Sequence, residues 1–123
     1  MIRPNHRAAP GSVLRAFLSR RPEAPPFNEQ FVAGAPESSG VYFLYRHESV
    51  LYIGIAVHGT GIRQELEKHL KGLYGAHTRQ ATSFDFEETR DPVVAAREYL
   101  LAHMAEFRGR VPPGNRPESV RRQ

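Results

Sequence analysis

The clearest order in the chain is a change of hydrophobic period at Gly40. Beyond it, Val41, Phe43 and Tyr45 alternate with Tyr42, Leu44 and Arg46. A second run follows, in which Leu51, Ile53 and Ile55 alternate with Tyr52, Gly54 and Ala56. Period-two alternation of this kind predicts two paired strands. Matching 41 with 55, 43 with 53 and 45 with 51 makes an antiparallel hairpin closed by His47-Glu48-Ser49. This register gathers the bulky apolar side chains on one face and sets Tyr42 and Tyr52 on the other as diagonal neighbours.

Downstream, His58-Gly59-Thr60-Gly61 reads as a turn. Ile62, Leu66, Leu70 and Leu73 then predict a helix, which Gly72 and Gly75 end. Residues 81–88 read as a third strand with Phe84 and Phe86 inward. Asp91 and Pro92 open a second helix with Val93, Leu100, Met104 and Phe107 as its buried stripe, and Pro112-Pro113 stop it. The expected fold is a single α+β domain, a three-stranded antiparallel sheet flanked by helices in the order β-β-α-β-α. Upstream, six of the ten prolines precede Gly40, so residues 1–36 read as an irregular leader. Within it, Ser12 as an N-cap and Val13, Leu14, Phe17 and Leu18 at helical spacing predict a short helix over 13–20. The domain is expected over 37–115, with a basic tail at 116–123.

At 123 residues, one core is the expectation. There is no apolar run of the roughly 20 residues that span a bilayer and no apolar signal stretch at the start. Without cysteine, disulfides and thiolate metal sites are excluded, and a cytoplasmic protein with no membrane partner is expected. The net charge of +4 suggests an anionic partner. Of seventeen Lys and Arg, ten lie in residues 1–26 and 108–123, whereas only two of thirteen Asp and Glu do, so the stretch between is net acidic. Any binding to nucleic acid is therefore expected to depend on the ends and to fall steeply with salt. Solubilising ends are the plainer alternative.

The motifs now come together. Gly40-Val41-Tyr42 is followed nine residues later by Tyr52-Ile53-Gly54, then by a helix, a strand, a helix and an Asn after a proline pair. Over residues 40–115 this resembles the GIY-YIG nuclease family, which includes the excision-repair endonuclease C subunit and certain homing endonucleases. The resemblance implies a DNA-cleaving domain. One Mg²⁺ or Mn²⁺ would neutralise charge at the phosphorus while an arginine steadies the transition state, and a cation of this kind needs only one carboxylate.

Carried over residue by residue, the resemblance implies roles for Tyr42 and Tyr52 in orienting the nucleophile, for His69 on the first helix and for Asn115 as a support, with Gly40 and Gly54 as the motif glycines. From the residues alone, His69 lies beside Ile62 and Leu66 on the wheel and is also a packed core histidine, and Pro-Pro-Gly-Asn is also simply a turn. The arginine expected four residues before the His is Glu65 here, and twelve residues before Asn115 stands His103 in place of a metal-binding Glu. A working site would need Glu98 as the metal ligand and Arg63 or Arg97 as the arginine. The alternatives are a degenerate domain that binds nucleic acid, DNA foremost, without cutting it, and a small protein-interaction module.

Overall fold

The computed structural model describes residues 23–116. The helix expected over 13–20 and residues 117–123 of the basic tail lie outside them. Three antiparallel strands, β1 (Gly40–Arg46), β2 (Ser49–Ala56) and β3 (Ser83–Glu88), form one sheet in the order β2-β1-β3. Among the described residues four helices accompany them: α1 (Glu29–Val32), α2 (Ile62–Leu70), α3 (Ala76–Arg79) and α4 (Pro92–Glu106). The α+β class and the strand and long-helix order match the alternation read above; the short α1 and α3 are additions. No helix among the described residues is long and apolar enough to cross a membrane.

Strand alternation sorts the interior into two layers. Tyr42, Leu44, Leu51, Ala56 and Phe84 face Ile62 and Leu66 of α2. Val41, Phe43, Tyr45, Val50 and Ile53 face Ala95, Ala96 and Tyr99 of α4. With a helix on each face, β1 is buried from Gly40 to Tyr45. Gly40 is needed for this closeness: a methyl there would meet the Glu87 carbonyl oxygen and lie 2.8 Å from Ile62 Cδ1.

The hairpin departs from the simple register at one point. Val41 pairs with Ile55 and Phe43 with Ile53 as expected, but Tyr45 pairs with Val50 across an irregularity, and Arg46 with Ser49. The connection is therefore His47-Glu48 alone, with His47 at φ 58°, rather than a three-residue loop. Leu51 is the extra residue of a β-bulge, which turns it to the face of Tyr42 and Leu44 instead of that of Ile53.

The buried stripe of α4 also differs. Pro92, Ala95, Ala96, Tyr99 and His103 are buried; of the expected stripe Leu100 packs half-buried against this core and Met104 is half-buried, while Val93 and Phe107 are exposed. The helix carries apolar residues all round, so apolar spacing cannot choose its face; small side chains decide it. Ala95 and Ala96 let the helix approach the strands, and Tyr99 then meets the Phe43 ring edge-on at 4.9 Å. Its hydroxyl donates to Oε1 of Glu87, a wholly buried carboxylate of β3. On α2, Ile62, Leu66 and His69 are buried, but Leu73 lies past the helix end and is exposed. Finally, part of the proline-rich leader belongs to the domain. Asn28 caps α1 through Phe31 N at 3.0 Å, and Phe27, Val32 and Ala35 enter the α2-side core.

Candidate functional site

The α2 face of the sheet carries a polar aromatic cluster. Tyr42 comes from the central strand, Tyr52 from β2, and His69 from the last turn of α2. Alternation on β1 and β2, with the bulge taken up before Tyr52, puts both tyrosines on the face that α2 covers. Ile62, Leu66 and His69 follow at helical spacing, so anchoring the two aliphatic residues carries His69 inward with them. The Tyr42–Tyr52, Tyr42–His69 and Tyr52–His69 ring centroids are 6.0, 5.5 and 5.0 Å apart. The structure thus brings these three sequence-derived candidates together.

His69 is 1% exposed yet fully partnered. Nε2 shares a hydrogen bond of 2.8 Å with the Tyr42 hydroxyl, and Nδ1 one of 2.8 Å with the Thr78 hydroxyl. A neutral ring has one donor and one acceptor nitrogen, so the chain Tyr42–His69–Thr78 runs in one direction or the other. Burial lowers the His69 pKa to about 4, which keeps the ring neutral. Burial also raises Tyr42 well above its ordinary value, with Tyr52 and then Glu65 adding to the effect. Tyr52 is raised, again mainly by burial; its interaction with the Tyr42 hydroxyl works the other way, and the Glu65 charge adds to the rise.

Two further residues complete the cluster. The Tyr74 ring lies 4.6 Å from His69, and its hydroxyl donates to Glu65 Oε1 at 2.7 Å. Burial, this hydrogen bond and the Glu65 charge push Tyr74 up to about 12. Neither Tyr74 nor Thr78 carries a local sequence signal. Both lie in the glycine-punctuated stretch after α2, and only the folding of that stretch back over His69 brings them in.

The remaining candidates are held elsewhere. Arg63 Nε donates to the Ala35 carbonyl at 2.8 Å and its Nη1 to Glu37 at 2.9 Å, so the guanidinium ties α2 to the preceding loop. Glu98 and Arg97 are exposed on α4, the helix covering the opposite face of the sheet, so neither reaches the cluster. Asn115, in the 3₁₀ turn Pro113–Asn115, accepts from Ile53 N and donates to Ile53 O, both at 2.9 Å. It acts as one rung of an added strand on the open edge of β2. His103 is 6% exposed and donates from Nδ1 to the Arg110 carbonyl at 2.7 Å.

The cluster presents the expected divalent metal with one carboxylate, and that one is already partnered. The carboxylate that reaches the cluster is Glu65, which takes the Tyr74 hydroxyl and has Lys68 Nζ 3.8 Å from its second oxygen. Among the described residues no group of three His, Asp or Glu could hold an ion. With both His69 nitrogens bonded within the fold, the arrangement can offer a ligand the phenolic hydroxyls of the half-buried Tyr52 and Tyr74, beside a negative charge where phosphoryl chemistry calls for a positive one. No protein-family model matches the chain, and no curated protein matches it significantly in sequence.

Proposed function

We propose that this chain is a GIY-YIG-type domain that binds nucleic acid without hydrolysing it. The observation that carries this reading is the convergence of Tyr42, Tyr52 and His69 on one sheet face, with Glu65 beside them where the family has its arginine. A guanidinium there would ease the ionisation of the tyrosines and stabilise charge on a phosphorane. A carboxylate does the opposite, and it adds to the burial that raises Tyr42, Tyr52 and Tyr74. Arg63 is committed to Ala35 and Glu37, and Glu98 belongs to the other layer. Affinity for the polymer is assigned to the arginine-rich ends, which counterion release would make salt-sensitive.

The test is incubation of the pure protein with supercoiled, single-stranded and branched DNA in Mg²⁺ and in Mn²⁺, with binding measured in parallel across a salt series. Binding that falls steeply with salt and no cleavage is the expected result. Cleavage that Tyr42→Phe abolishes would make the protein an endonuclease instead. An absence of binding even at low salt would leave the protein-interaction reading in its place.

A further inference from the structure

We propose that the cavity between the end of α4, the start of β2 and the turn at 113–115 is a binding subsite for a nucleotide phosphate. Its volume is about 310 Å³, and its wall includes Glu48, Ser49, His103, Phe107, Arg110 and Arg116. The two ion pairs formed among the described residues are Arg63–Glu37 and Lys68–Glu65, so neither Arg110 nor Arg116 has a carboxylate partner there. Arg116 is half-buried. A half-buried guanidinium without a counter-ion is costly, and a bound anion would supply one. Glu48, the carboxylate in the wall, is already engaged in an interaction of its own.

His103 gives the cavity its second feature. With Nδ1–H held by the Arg110 carbonyl, the neutral ring keeps its lone pair on Nε2. Burial and the nearby Arg116 charge favour this neutral form. An arriving phosphate offsets Arg116 and either donates its own proton to Nε2 or lets the ring take one up and donate. The Phe107 ring stacks on His103 at 4.4 Å and 29°, which fixes the imidazole plane. Phe107 is itself 44% exposed and can carry a base, as aromatic side chains do for single strands. Two guanidiniums, the Ser49 hydroxyl and an aromatic platform together match a nucleotide, with the phosphate on the arginines.

The turn that forms part of the cavity wall also packs against the tyrosine cluster. Pro113 is in its wall, and the next residue, Gly114, packs so closely that a methyl on it would lie 3.1 Å from Tyr52 Cβ and 3.1 Å from Thr78 Cγ2. The phosphate site, displaced from the acidic Glu65 side, would hold a strand beside Tyr52. That the phosphate belongs to a polynucleotide rests on the function proposed above; the cavity's affinity for phosphate does not.

The experiment titrates the full chain at constant ionic strength with inorganic phosphate, with adenosine monophosphate and with labelled single-stranded DNA. The ring resonances of His103 and Phe107 are followed in wild type, Arg116→Gln and Arg90→Gln. The expected result is that the nucleotide shifts both rings and that Arg116→Gln weakens nucleotide and DNA by at least about tenfold. Arg90→Gln, the same loss of charge on an exposed loop, should change affinity by less than about twofold. Nucleotide binding lost in Arg116→Gln, with no DNA binding in any form, would keep the subsite and overturn the nucleic-acid reading. Silent His103 and Phe107 resonances, or equal weakening by both substitutions, would overturn the subsite.

Discussion

Tyr42 stands directly across the hairpin from Gly54, and its ring occupies the space a side chain at 54 would need. A methyl built on Gly54 would lie 2.6 Å from Tyr42 Cε1 and closer still to Cζ and the hydroxyl. The pairing gives a physical reason for the two triplets to go together: the tyrosine of the first folds over the glycine of the second. The ring cannot simply swing aside, because its hydroxyl is bonded to buried His69. Gly54→Ala is therefore expected to cost about 1–3 kcal/mol or more. In a Tyr42→Ala background the same substitution should cost much less, and a double-mutant cycle from urea unfolding measures that coupling. Additive costs would mean that the two residues do not share this space.

Stability should depend on pH through His69. Its ring is held by two hydroxyls and by no carboxylate, so burial sets its pKa at about 4 in the fold, against about 6.5 in the unfolded chain. A lowered base leaves stability complete above the unfolded value and loses it progressively as pH falls from about 6.5 towards 4, because only the unfolded chain takes up the proton. The gap corresponds to about 3 kcal/mol at full development. His103, also lowered chiefly by burial, acts in the same direction. Urea midpoints between pH 7 and 4 should thus fall more steeply for wild type than for His69→Gln. Parallel curves would show that His69 does not titrate differently in the fold.

What could be read from the chain follows the distance over which each feature is decided. The alternation of Val41 to Tyr45 is local and correctly gives the strand, its faces and the meeting of Tyr42 with Tyr52. The bulge at Leu51 is not legible, because an apolar residue suits either face and only the two cores decide between them. The face of α4 is hidden for a related reason. Val93, Val94 and Leu101 outweigh Ala95 and Ala96 in hydrophobicity, yet closeness to Phe43 and a bond from Tyr99 to buried Glu87 select the small residues. At the site, His69 was legible from its helical spacing. The engagement of Arg63 by Glu37 was not, since those residues lie 26 positions apart.

Glu65 is expected to control the tyrosines electrostatically. Its charge contributes to the raised pKa of Tyr42, Tyr52 and Tyr74, and its Oε1 accepts directly from Tyr74. Glu65→Gln removes the charge while keeping an acceptor, so the phenolic titrations should move down towards the ordinary range. Burial remains, so Tyr42 should stay above its ordinary value. Ultraviolet titration of the phenolate band, read against Tyr74→Phe to assign one of the steps, checks this. An unchanged profile in Glu65→Gln would mean that burial alone sets these values.

Asn115 should prove to be a support for the edge of β2 rather than a group that touches ligand. The Ile53 N–H and C=O point away from β1 to the open side of the sheet, where the Asn115 amide meets both. An unpaired edge leaves such groups to water or to another chain. Asn115→Asp keeps the acceptor for Ile53 N but turns a carboxylate oxygen to the Ile53 carbonyl, losing one hydrogen bond and setting two acceptors together. A cost of about 1–3 kcal/mol is expected. Asn115→Ala loses both bonds but creates no repulsion, and should cost less. The Ile53 amide reports the effect directly: its hydrogen exchange should accelerate in Asn115→Ala, while amides inside the β1–β3 ladder keep their protection relative to global stability. Unaltered exchange at Ile53 would mean that the turn at 113–115 does not hold this edge.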